Sequence, residues 1–229
     1  MLLAGLTASL DRVGQVQAHL PVTASVALAV LAVLAVVVPG LLHAAAHIDT
    51  IAHEGAHATV GSALGHKVTH IDIKLNGSGG TGIVPKSASK MALFPSAFVG
   101  YLGPSAFGVG AAELIKAGHI IAVPWVGLVG LVPVLYLARK SIGIVIVIAA
   151  FVALVLLLGA GSEGLQEATA YGIAWFLLIS GVTTINKHRK NAIDAGILNE
   201  MTGLPRGFWP PLWFVGAGAA LVFGALQLL

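Results

Sequence analysis

The sequence predicts an all-α polytopic membrane protein of about six to seven transmembrane helices, with a short β-hairpin inserted after the second of them. Three observations predict it. Of the 229 residues 57% are hydrophobic and only 9% charged, whereas soluble domains carry roughly 25% charged residues. Apolar runs about as long as a bilayer is thick recur along the chain. Between two of them a polar, Gly-rich stretch alternates in the two-residue period of a strand. No soluble region is long enough for a second domain, so residues 1–229 are read as a single integral membrane domain.

The first apolar run is Val22 to Val38, and Pro39-Gly40 breaks it before a second run, Leu41 to Leu64. A polar piece follows, Gly65 to Lys90. The hairpin is expected at about 67–85: Ile71, Ile73 and Leu75 alternate with Asp72, Lys74 and Asn76, Gly77-Ser78-Gly79-Gly80 supplies the turn, and Thr81 to Val84 returns. Further runs at about Met91 to Ile115, Ile120 to Ala138, Ser141 to Leu158, Leu165 to Ile185 and Phe208 to Leu229 complete seven segments. Ser96, Gly100, Pro104 and Gly108 recur every four positions and predict close helix packing.

Charge sets an expected orientation. With a cytoplasmic N-terminus, eleven of the twelve basic residues fall on the cytoplasmic side and only Lys116 outside, as the positive-inside rule asks. The set includes Arg12, Lys67, Lys74, Lys86, Arg139, Lys140, Arg189, Lys190 and Arg206, and the loop Gly159 to Gly164 is expected on the opposite side. The expected location is the cell membrane, multi-pass, with the lipid bilayer as solvent and an uncleaved first helix in place of a signal peptide. The net charge of +3 gives no reason to expect a nucleic acid partner.

The second run carries His53-Glu54-Gly55-Ala56-His57. On a helix His53 and His57 lie about 40° apart and Glu54 adjoins them. Two imidazoles at that spacing grip one Zn²⁺, which lowers the pKa of a bound water toward about 7, and a neighbouring Glu can take its proton. Chance produces such a motif in this composition at roughly the 1% level. The stronger rival is a packed polar cluster, but ionisable groups at membrane depth cost a few kcal/mol and mark function. With no Cys in the chain, a metal must be held by His, Asp or Glu. At 1.5 Å per residue His57 lies about 10 Å and His53 about 16 Å from the helix end at Leu64.

These features resemble the site-2 protease family of intramembrane zinc metalloproteases, most closely its compact bacterial members without a PDZ domain. The resemblance rests on the H-E-x-x-H helix, on Gly65-His66-Lys67-Val68, on Gly100-Tyr101-Leu102-Gly103-Pro104, and on Asp194-Ala195 with Thr202-Gly203-Leu204-Pro205 and Trp209. It implies that a distant Asp completes the zinc site, and Asp194, in a segment at about 190–205, matches that position best, although Leu-Asp-Gly or Asn-Pro-Asp-Gly does not surround it. Of the nine acidic residues, Asp49, Asp72, Asp194 and Glu200 are expected on the appropriate side. Of these, Asp49 lies one turn before His53 and suits a carboxylate that orients that ring. Asp72 belongs to the hairpin and Glu200 to the interface.

The expected function is therefore an intramembrane zinc metalloendopeptidase. One Zn²⁺ per chain is held by His53, His57 and Asp194, Glu54 is the base, and membrane-anchored proteins are the substrates. The strand edge carrying Ile71, Ile73 and Leu75 is expected to hold an extended substrate by main-chain hydrogen bonds. A membrane protein that binds or moves divalent metal without hydrolysis, or an inactive scaffold, is the alternative. His43, His47, His66 and His70 are expected at the membrane surface.

Overall fold

A computed structural model describes residues 1–139, 141–188 and 192–229. In chain order come α1 (Leu2–Asp11), α2 (Val22–Val37), α3 (Pro39–Ala63), β1 (Lys67–Ile73), β2 (Gly79–Val84), α4 (Phe94–Val99), α5 (Gly103–Lys116), α6 (Ala122–Leu137), α7 (Ser141–Ala160), α8 (Glu163–His188), α9 (Ile193–Thr202) and α10 (Trp209–Leu228). All seven apolar runs are helical, so the architecture is the expected helical membrane protein with one antiparallel hairpin. Four helices among the described residues are long and apolar enough to cross a bilayer alone: Met91–Lys116, Ile142–Ala160, Glu163–Asn186 and Arg206–Leu228. The first of these is α4 and α5 joined through a tight turn at Gly100–Leu102. At sixteen residues each, α2 and α6 reach about 24 Å, short of a hydrocarbon core of about 30 Å.

Two boundaries differ from the sequence reading. Pro39 does not stand outside the motif helix but opens it, because its missing N–H costs nothing in the first turn. The break falls on Val38, whose extended backbone separates α2 from α3. Ahead of the first apolar run the N-terminal stretch forms a further helix, α1.

Lipid removes the hydrophobic drive between helices, so association depends on close packing. The four-residue pattern of the α4–α5 segment serves two neighbours. Ser96 and Gly100 face α3, as does Gly103 outside the pattern, while Gly108 faces Leu178 of α8, which a side chain at that position would meet at 2.9 Å. Gly181 of α8 in turn receives Ser105, and Gly224 of α10 receives Leu178. Ile115, Tyr171, Trp175 and Leu228 fill the buried centre between α2, α5, α8 and α10.

The hairpin folds back along α3. Thr81 of β2 bonds to Glu54, Ile83 approaches Gly61, and the turn at Gly77 lies against Ala46 and Thr50. Lys74 C=O accepts from Gly77 N–H at 3.0 Å and Ser78 C=O from Lys74 N–H at 2.8 Å. Gly77 takes φ +76°, a conformation that favours glycine.

Ile71 and Ile73 are fully buried with Ala58, Leu131, Val134 and Val147, so they are core residues of β1 and do not face a substrate. Leu75 lies past the end of β1, in the turn, and is exposed. The outer edge of β1 is also taken at Ile71, whose C=O accepts from Arg139 N–H at 3.3 Å. The strand facing the cavity described below is β2.

The two ends of α7 fix where the charges lie. Gly143, near its start, packs on Ile73 of the hairpin, and Gly159, near its end, packs on Gly5 and Leu2 of α1. Those contacts are about 24 Å apart along the axis. Arg12 pairs with Glu167 at 2.9 Å and with Glu163 at 3.6 Å, and Gln17 N–H donates to Gly118 C=O. Arg12 therefore shares an end with Gly159–Gly164 and the Lys116 turn, opposite Lys67, Lys74, Lys86 and Arg139. This corrects the expectation that Arg12 and that loop lie on opposite sides. Lys140, Arg189 and Lys190, which also entered the charge argument, lie outside the described residues.

Candidate metal centre

The i, i+4 spacing on α3 brings the rings of His53 and His57 together, with Nε2 atoms 3.1 Å apart. A long-range contact supplies the third group. Asp194 stands in the first turn of α9, where the helix dipole favours a carboxylate. The other face of α9 packs Ala195 and Leu198 against Trp209 and Trp213 of α10, with Phe94 and Phe98 of α4. Trp213 Nε1–H donates to Phe98 C=O at 2.9 Å and ties α10 to α4. Gly203, at φ +76°, stops the helix and turns the chain toward α10.

This aromatic block carries the Asp194 carboxylate to α3. Its Oδ2 lies 3.1 Å from His53 Nε2 and 3.3 Å from His57 Nε2. Three ligands at the corners of a tetrahedron with bonds of about 2.0–2.2 Å stand about 3.3–3.5 Å apart. The observed triangle has nearly that size.

Tautomer and burial support the same fit. His57 Nδ1–H donates to the Ser96 carbonyl at 2.6 Å, so that in the neutral ring the lone pair of Nε2 faces Asp194. Ser96 Oγ donates to His57 C=O at 2.9 Å, so the α4 backbone and the motif helix are cross-linked twice. Among the described residues the buried Asp194 Oδ2 receives no well-directed hydrogen bond. Lone pairs thus converge where a cation would relieve their repulsion. The donor set, two imidazoles and one carboxylate with room for a fourth ligand, suits Zn²⁺.

Space for an ion comes from Gly100. A Cβ there would meet His57 Nε2 at 2.3 Å and His53 Nε2 at 2.8 Å, so only bare backbone fits beside the metal-facing atoms. Tyr101, the next residue, sets its ring edge-on to His53 with centroids 4.7 Å apart. Glu54 adjoins the triangle and is buried, its Oε2 accepting from Thr81 Oγ1 at 2.7 Å. The centre opens into a cavity of about 660 Å³. Its lining includes β2 with its turn, and Ile193, Ile197 and Met201 of α9.

The fold brings His53, His57 and Asp194 within metal-binding distance of one another, with Glu54 in the lining of the same cavity. Asp49 is buried in the wall of the same cavity, one turn before His53. Ile71, Ile73 and Leu75 are absent from that wall. His66, expected at the membrane surface, is buried, with Nε2 donating to Ala92 C=O at 2.8 Å and Nδ1 accepting from Lys86 N–H at 3.2 Å. It locks the hairpin exit to the turn before α4. His47 is partly buried, and the side chain of His43 lies outside the described residues. The sequence reading missed Ser96 and Gly100 as partners of His57, and Thr81 as the partner of Glu54. The four-residue spacing that includes Ser96 and Gly100 was the available signal for the first two.

No curated protein and no solved structure matched the chain. The Peptidase M50B-like family model matches residues 26–224, a span that contains α3, the hairpin and α9 with their converging His53, His57 and Asp194, and the chain belongs to that family, the family of the site-2 metalloproteases.

Proposed function

We propose that the chain is an intramembrane zinc endopeptidase that cuts membrane-anchored proteins. The observation that carries the reading is the triangle of His53 Nε2, His57 Nε2 and Asp194 Oδ2, with sides of 3.1–3.3 Å, beside the buried Glu54. His53, His57 and Asp194 would hold one Zn²⁺. So held, it would supply a Lewis acid able to polarise a carbonyl and lower the pKa of water toward about 7.

The remaining work falls to side chains. Glu54 takes a proton from the attacking water and returns it to the leaving amine. Asp49 orients the His53 ring through its other nitrogen. Helical substrates must be unwound before a peptide bond is accessible. An extended segment running along β2 would present its main chain to the strand and its side chains to Ile193, Ile197 and Met201. The basic hairpin end is assigned to the cytoplasm, which leaves α1 at the other face of a multi-pass cell-membrane protein.

Glu54→Gln tests the reading, because it keeps size and removes the base. Purified variant should retain stoichiometric zinc and lose at least about 10²-fold in cleavage of single-span membrane proteins. Undiminished cleavage would sink the assignment. Metal flux in vesicles, with no peptidase activity in either form, would establish the transporter alternative.

A further inference from the structure

A general base needs its carboxylate at a defined angle, yet a Glu side chain has three rotatable bonds. Glu54 is held by one strand. Thr81 Oγ1 lies 2.7 Å from Glu54 Oε2 and 3.2 Å from the Glu54 carbonyl oxygen. A hydroxyl has a single proton, and the shorter contact to the charged oxygen takes it. Glu54 Oε1 rests against Gly79, two residues earlier on β2, where a Cβ would meet it at 2.7 Å. Oε2 is therefore held by β2, and Oε1, packed beside Gly79, is left for the proton in transit.

The hydroxyl is itself well anchored. Threonine is β-branched and stiff at χ1. Thr81 pairs with Ile71 in the hairpin register, and Ile71 is fully buried and bonded through its C=O to Arg139 N–H. Position is thus passed from the hairpin core through Ile71 and Thr81 to the carboxylate. The hairpin turn has a separate tether, Thr50 Oγ1–H to the Gly77 carbonyl.

We infer that Thr81 is a positioning residue for the reaction, holding Glu54 Oε2 so that Oε1 is aimed as the base. The inference rests on the reading of Glu54 as that base. A residue that merely docked the hairpin would act through substrate affinity, and Thr50 would serve equally well. A positioning residue acts on kcat.

The experiment compares Thr81→Val, Thr81→Ser and Thr50→Val with wild type and Glu54→Gln. Each is purified with zinc and given an internally quenched peptide with one Leu/Ala-rich span in detergent micelles. Thr81→Val should lower kcat about tenfold or more, with KM within about twofold and zinc content unchanged, on the scale of a lost hydrogen bond to a charged group. Thr81→Ser should restore kcat to within about threefold of wild type, and Thr50→Val should change KM without that loss of kcat. Wild-type kcat in Thr81→Val, an equal loss in Thr81→Ser, or the same loss in Thr50→Val would overturn the inference.

A second readout does not require turnover. The infrared carboxylate band isolated by subtracting Glu54→Gln should shift in Thr81→Val and stay in place in Thr50→Val. An unmoved band in Thr81→Val overturns the positioning role whatever the cleavage result. A shifted band with no cleavage by wild type would overturn the endopeptidase reading alone.

Discussion

Gly100 presents bare backbone to the imidazole of His57: a Cβ at that position would meet Nε2 at 2.3 Å, closer than any non-bonded contact allows. The motif helix supplies two ligands by its own periodicity, but the place they point to exists because the neighbouring helix lacks a side chain there.

Gly100→Ala should therefore remove the metal without unfolding the protein. Gly100 has right-handed helical backbone angles, and alanine in a helix is favoured over glycine by roughly 1 kcal/mol. The added methyl instead enters the space between His53 and His57. Zinc content should fall at least about tenfold while the far-ultraviolet circular dichroism spectrum is retained. Full zinc occupancy in the variant would show that the metal lies elsewhere.

Asp194 lies 137 positions from His57 in sequence, and its carboxylate has no competing partner at Oδ2 among the described residues. Asp194→Asn keeps the shape and removes the charge, so its zinc affinity should drop, and Asp194→Ala should drop further. Ligand linkage supplies the measurement. Zinc at about 100 times its Kd raises stability by about 2.7 kcal/mol, so chelator should lower the Tm of wild type clearly. It should barely move the Tm of Asp194→Ala. Equal chelator shifts in both proteins would exclude Asp194 as a ligand.

These residues also show which parts of the fold could be read in advance. His53, Glu54 and His57 were legible because helical spacing alone makes them neighbours. Asp194 was reached through the family resemblance and through elimination among few acids, since no local rule links α9 to α3. Alternation identified the hairpin, but not which strand would face the cavity. Ile71 and Ile73 pack under α6 and α7, a contact invisible in a period of two, and the turn begins at Lys74 before Leu75 can join the strand. Thr81 drew no attention because its partner, Glu54, lies 27 residues away on another element. Counting basic residues assigned Arg12 to the wrong end, because the count could not register its pairing with Glu167.

The placement of Arg12 at the end opposite the hairpin is directly testable, because the chain contains no cysteine and any introduced thiol is unique. Gln15 is exposed in the turn after α1, and Ser87 is exposed just after the hairpin. They sit at opposite ends of the bundle, as the contacts of Gly159 with Leu2 and of Gly143 with Ile73 require. Polar segments do not cross the hydrocarbon core. A membrane-impermeant maleimide applied to intact spheroplasts should then label Gln15→Cys at once and Ser87→Cys only after permeabilisation, given the assignment of the basic end to the cytoplasm. The reverse pattern would invert the molecule in the membrane but keep its two ends apart. Labelling of both from one side would mean that α1 and the hairpin share a face, and the pairing of Arg12 with Glu167 would have to be abandoned.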